Sequence, residues 1–176
     1  MRRIRIVVAY DGTNYCGWQI QPNGITIEEI LNRQISKLTG EDIRIIGASR
    51  TDSGVHALGN VAVFDTESRI PGDRFAYALN QKLPEDIVIV RSDEVQIDWH
   101  PRYQNEISKT YEYHIYNAKV RNPLKNRYST FVSFDLDVEK MRQGAKYILG
   151  EHDFASFCNV RTNAKDTVRT VHEITN

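Results

Sequence analysis

Ile4-Arg5-Ile6-Val7-Val8-Ala9-Tyr10 is rich in β-branched residues and stops at Asp11-Gly12, which predicts a strand ending in a turn. A loop rich in Gly, Asn and aromatics follows, through Tyr15, Trp18 and Pro22. Thr26 and Glu29 then have capping-box spacing ahead of Ile27, Ile30, Leu31, Ile35 and Leu38, which share one helical face. Gly40 stands where a C-terminal helix cap belongs. Two apolar runs predict strands at about 43–48 and 59–65, and Pro71-Gly72-Asp73 opens a second helix carrying Phe75, Ala78 and Leu79. Ile87-Val88-Ile89-Val90 predicts a fourth strand.

The order β-α-β-β-α-β is the split βαβ arrangement of ferredoxin-like domains, an α+β fold with a four-stranded antiparallel sheet and two helices on one face. This half is complete by about residue 97, so residues 1–104 are expected to form one half and 105–176 the start of another. In the second half a strand from Lys109 puts Tyr111, Tyr113 and Ile115 on one face. Asp137 caps a helix with Val138, Met141, Ala145 and Ile148 on its apolar side, closed by Gly150. Val168 to Ile174 reads as the next strand. A β-α-β unit without its return leaves a sheet edge and a helix face uncovered, so the second half is expected to be truncated or completed by something else.

A chain of 176 residues with 40% apolar and 26% charged residues is an ordinary globular composition. No apolar run is long enough for a bilayer span, and Met1-Arg2-Arg3 leads straight into a strand, so neither membrane anchor nor signal peptide is expected. Cys16 and Cys158 have no close Cys or His at metal-ligand spacing and are expected as unpaired thiols of an intracellular chain. Net charge is zero, which argues against a generally sticky nucleic-acid binder. Local basic clusters remain at Arg2, Arg3 and Arg5 and at Lys119, Arg121, Lys125 and Arg127, read first as solvated faces.

The stretch with the most chemistry is Arg50-Thr51-Asp52-Ser53-Gly54-Val55-His56-Ala57, in the connection between the second and third strands. A guanidinium two residues before a carboxylate keeps it ionised and directs it, which suits a nucleophile better than a proton donor. An ion pair capping a turn is the plainer reading of the same residues. His56 is a general base or a loop histidine bonded to backbone. Tyr111 and Tyr113 are either packing residues or a stacking platform for unpaired bases, with Lys109 beside them for a phosphate. The loop with Tyr15, Trp18 and Gln19 either grips a polynucleotide or is tucked onto the domain by Trp18. Phosphate-cradling, serine-nucleophile and zinc patterns are missing from the sequence, so nucleotide hydrolysis, redox chemistry and a metal centre have no support.

Taken together these strings resemble the tRNA pseudouridine synthase A family. Tyr10-Asp11-Gly12, Tyr15 and Gly17-Trp18-Gln19-x-Gln21 look like its opening motif, and the Arg50–Ala57 string like its catalytic motif, with Ser53 where Ala is usual and Ser49 where Gly is usual. Asn80-x-x-Leu83-Pro84-x-Asp86-Ile87, Lys109-Thr110-Tyr111-x-Tyr113, Leu149-Gly150-x-His152-Asp153-Phe154 and Arg169-Thr170 follow in the expected order. The resemblance implies isomerisation of uridines in the anticodon stem-loop of tRNA to pseudouridine, in the cytoplasm, by a homodimer needing no cofactor and no metal. It implies Asp52 as nucleophile, Arg50 as its partner in opening the duplex for base flipping, and Tyr111 stacked on the uracil. Lys109, Tyr15, Trp18, Gln19 and His56 are the remaining candidate RNA contacts. Complete members continue for about a further half-domain, so a polypeptide ending at Asn176 is expected to be inactive or badly impaired. The rival expectations are a non-catalytic RNA-binding module of the same fold and an unrelated small hydrolase using Asp52.

Overall fold

Ile4, Ile6, Val8 and Tyr10 are buried at every second position of β1 (Arg2–Tyr10), because successive strand residues face opposite sides of a sheet. The structure is a computed structural model that describes residues 1–103, 108–158 and 166–175. These residues fall into two units, Met1–Tyr111 and Glu112–Asn176. The boundary expected at 104/105 lies outside the described residues.

In the first unit the order is β1, α1 (Ile27–Thr39), β2 (Ile46–Gly47), β3 (Ala57–Thr66), α2 (Phe75–Asn80) and β4 (Ile87–Val95). The strands lie in the order β2-β3-β1-β4 and every neighbouring pair is antiparallel, so the unit is α+β. Helix α1 starts where the capping box puts it: the Thr26 hydroxyl accepts the Glu29 N–H at 3.3 Å. It ends at Gly40, whose φ of 77° is the left-handed cap conformation. Its face of Ile27, Ile30, Leu31 and Ile35 packs with Phe75 and Leu79 of α2 against Ile4, Ile6, Phe64, Ile87 and Ile89 of the sheet. Phe64 and Phe75 meet edge to face at 5.3 Å.

Two expectations change here. The strand at 43–48 is only Ile46–Gly47, because the N–H groups of Ile43 and Ile45 bond Ser36 Oγ and Asn32 Oδ1 of α1 (both 2.9 Å) instead of a ladder. The N-terminal basic cluster is neutralised by register. Arg3 lies opposite Asp65 and Arg5 opposite Asp93, and both guanidinium forks are bidentate, at 2.7 and 2.8 Å and at 3.0 and 2.6 Å. Arg2 pairs Glu94 at 2.7 Å.

The second unit holds β5 (Ile115–Asn117) parallel to β6 (Thr130–Val132), then α3 (Val138–Ala145), and β7 (Gly150–Asp153) antiparallel to β8 (Val168–Val171). Asp137 caps α3 through the Lys140 N–H at 3.0 Å, a bond that holds its carboxyl below the ordinary carboxylate range. The strand expected from Lys109 begins only at Ile115, since no strand among the described residues pairs with 109–114. The helix ends before Gly150, which starts β7 instead with φ of 95°. No residue of α3 is buried, although Val138 and Met141 lie on its apolar side.

Candidate active site

The chain passes from β2 to β3 through Ala48–His56, and this connection is held by the loop that follows β1. The Trp18 N–H donates to the Thr51 carbonyl at 3.0 Å, and the Gly54 N–H to the Tyr15 carbonyl at 3.3 Å. Ser53 Oγ donates to that Tyr15 carbonyl at 3.2 Å. Asp52 itself begins a turn, its carbonyl accepting the Val55 N–H at 3.2 Å, with Gly54 at φ of 78°. The loops approach so closely that a Cβ on Gly12 would stand 2.1 Å from the Val55 carbonyl oxygen, so only glycine fits there.

A second clamp comes from the buried side. Asn60 accepts the Ser49 N–H on Oδ1 at 3.3 Å and donates from Nδ2 to the Ser49 carbonyl at 3.1 Å. The same Nδ2 reaches the Tyr10 hydroxyl at 3.4 Å, and that hydroxyl bonds Thr51 Oγ1 at 2.8 Å. Burial raises the Tyr10 hydroxyl above the ordinary tyrosine pKa, so it remains a neutral hydrogen-bonding group. Ser49 and Thr51, the neighbours of Arg50, are thereby fixed to β1 and β3. Asn60→Ala leaves buried polar groups without partners and is expected to cost about 1–3 kcal/mol of stability. Chemical denaturation checks this, and a loss under half of that range counts against the clamp.

Arg50 and Asp52 project outward and both are exposed. The ion pair expected between them is not formed: among the described residues the Asp52 carboxylate has neither a salt bridge nor a hydrogen bond. Water solvates both ends, which removes the incentive for a surface pair at this spacing. His56 is half-buried, and its Nδ1 accepts the Gly12 N–H at 3.1 Å, which puts the proton of the neutral ring on Nε2. The Asp11 carboxylate is also 3.1 Å from Nδ1 and becomes the partner only when that nitrogen is protonated.

The other predicted residues divide. Lys109 donates to the Ala48 carbonyl at 3.1 Å, and Arg102 Nε to the Gly47 carbonyl at 2.7 Å, so the chain after β4 is tied to the strand that leads into the Asp52 loop. Tyr111, two residues beyond Lys109, is 81% exposed, and Gln19 is exposed as well. Tyr15 and Trp18, expected as candidate RNA contacts, instead turn inward. Trp18 is 1% exposed, 6.0 Å from the Tyr10 ring, and fills the space where a Cβ on Gly47 would sit. The Tyr15 hydroxyl donates to Asp86 at 2.5 Å, and burial together with that bond raises its pKa. Neither ring offers a face to a base; both are foundations for the loop that carries Asp52. Among the described residues no group of His, Cys, Asp and Glu is arranged to hold a metal.

A family model described as tRNA pseudouridine synthase matches residues 6–104 and 145–175. A tRNA pseudouridine synthase A of Acetivibrio thermocellus is 50% identical over 174 residues, covering 99% of this chain and 71% of that protein. The chain belongs to the tRNA pseudouridine synthase family. Relatives called tRNA pseudouridine synthase A in Thermoanaerobacter sp. and tRNA pseudouridine synthase A 2 in Clostridium perfringens are 46% and 48% identical, each over 99% of this chain and 71% of their own length. The family match includes the whole Asp52 loop and its clamps, whereas Lys109 and Tyr111 lie between its two segments. Sequence reasoning missed Asn60. The signal was a lone polar residue at the head of Val61-Ala62-Val63-Phe64, since such a residue on a buried strand must have a partner.

Proposed function

We propose that the protein isomerises uridines of the tRNA anticodon stem-loop to pseudouridine, with Asp52 as the nucleophile. One observation carries this reading: an exposed carboxylate with no partner among the described residues stands on a loop whose backbone is fixed from both sides. Such a group is presented to a substrate without having to break an existing bond. In the reaction the bond from uracil N1 to the sugar C1′ breaks and one from C5 to C1′ forms. The C5 proton leaves and N1 gains one, so the product is an isomer and no electrons are exchanged with a cofactor.

Arg50, exposed beside Asp52, supplies positive charge where the phosphates of an opened duplex approach. Tyr111 gives an exposed ring for stacking on the flipped base, and Lys109, Gln19 and His56 lie along the same loops as RNA contacts. The reading includes a ferredoxin-like first half, supported by the strand order β2-β3-β1-β4. It also includes a second half beginning near residue 105, and a cytoplasmic homodimer. The test uses the natural open reading frame containing this chain and a tRNA transcript with tritium at uracil C5. Tritium release confined to the anticodon stem-loop is expected. Tight tRNA binding with no release would favour a non-catalytic RNA-binding module instead.

A further inference from the structure

From Tyr113 to Phe134 the chain contains Lys119, Arg121, Lys125 and Arg127 and not one acidic residue, in a protein whose 23 basic and 23 acidic residues otherwise balance. The N-terminal arginines are each matched to a carboxylate, and in this stretch Lys119 is met by Asp135 at 2.7 Å. Among the described residues Arg121 and Lys125 have no ion-pair partner. The stretch lies outside both segments that the family model matches.

Its structure is specific. The β5–β6 ladder carries Tyr116 opposite Phe131, with ring centroids 6.2 Å apart. The Arg121 guanidinium lies 5.0 Å from the Phe131 ring centre, a cation–π arrangement that fixes the charge over this ladder. On Tyr116 opens a cavity of about 320 Å³ walled by His114, Leu124, Tyr128 and Ser129, with Lys125 in its lining. Two cations therefore flank an aromatic ladder beside a concavity within the lower range of ligand pockets. Aromatic faces interleaved with unneutralised cations suit a single-stranded polynucleotide: rings take bases and cations take phosphates.

We infer that this face of the second unit is an RNA-binding subsite separate from the Asp52 loop, with Lys125 and Arg121 on phosphates and a base in the Tyr116–Tyr128 cavity. An acidic protein segment meets the charge but not the stacking faces, so RNA is the better match. The inference rests on tRNA being the substrate, and the experiment separates the two.

Affinity for a tRNA transcript is measured by fluorescence anisotropy over a range of salt for the unaltered protein and for Lys125→Ala, Arg121→Gln and the pair. Lys125 is exposed and Arg121→Gln retains most of the side-chain stem, so folding, checked by thermal melts, is expected to persist. Lys37→Ala, an exposed lysine of α1, is the charge-matched control. Each subsite variant is expected to weaken binding several-fold at low salt and to reduce the slope of log affinity against log salt by about 0.7–0.9 per cation. Lys125→Arg is expected to restore both, and Lys37→Ala to change neither.

Unchanged affinity and slope in the pair, with Asp52-dependent isomerisation intact, would overturn the subsite alone. Unaltered protein that binds no tRNA would overturn the substrate reading and the subsite together. Displacement of tRNA by polyglutamate as readily as by unlabelled tRNA would assign the face to an acidic protein and overturn the RNA inference.

Discussion

Asp52→Asn is expected to abolish pseudouridine formation while tRNA affinity stays within about twofold, since one neutralised carboxylate adds no repulsion toward phosphate. Asn keeps the shape of the side chain and loses the negative charge and the nucleophilic oxygen pair. The carboxylate makes no bond to the described residues, so its loss should change stability by under about 0.5 kcal/mol, as for other unattached surface groups. Turnover should fall by a factor on the order of 10⁴ or more, the scale on which covalent nucleophiles act. Tritium release under single-turnover conditions, alongside anisotropy with the same tRNA, reads both quantities. Isomerisation surviving within tenfold would remove Asp52 from the nucleophile's role.

Gly17→Ala is the second large effect, and it acts through structure. Gly17 sits at φ of 80°, which costs an alanine about 1–2 kcal/mol. Its Cβ would also stand 2.5 Å from the Thr51 carbonyl oxygen, 3.1 Å from the Asp52 carbonyl carbon and 3.2 Å from the Ser53 nitrogen. These are backbone atoms of the three central residues of the Asp52 loop, and overpacking of this kind adds about 1–3 kcal/mol. Gly40→Ala is the internal control: its φ of 77° is nearly the same, and a Cβ there meets nothing within 4 Å. Urea denaturation of both variants isolates the contact. Gly17→Ala should lose at least about 1 kcal/mol more than Gly40→Ala, and isomerisation should fall only in the former. Equal losses in the two would mean that the loop before α1 does not support the Asp52 loop.

Much of the first unit was legible because its signals are local. Thr26 and Glu29 cap α1 as their spacing predicts, and the apolar face from Ile27 to Ile35 is the buried face. The Arg50–Ala57 string lies where the apolar runs put it, in the β2–β3 connection up to His56 with Ala57 opening β3. What was not legible depends on partners far along the chain. The short β2 follows from Asn32 and Ser36 taking its backbone donors, and the neutral outer face follows from a register that sets Arg3 beside Asp65 and Arg5 beside Asp93. Composition cannot separate a tucked Trp18 from a base-stacking one, since both readings want an aromatic beside glycines. The Gly47 contact decides it. Where the two units meet, periodicity at Tyr111 and Tyr113 predicts a strand, but a strand exists only where another pairs with it.

The clamps around Ser49, Thr51 and Gly54 also set the protein's cooperativity. Their partners are Asn60 of β3, Tyr10 of β1, and the backbone of Tyr15 and Trp18, all seated on the main core. A loop tied in this way has no opening of its own, so its amides should exchange with deuterium at the pace of the central strands rather than at that of exposed turns. Heating would then leave Asp52 in its folded position until the sheet itself unfolds. Activity would be lost in a single step together with the fold, with no intermediate range in which the enzyme is folded yet slack.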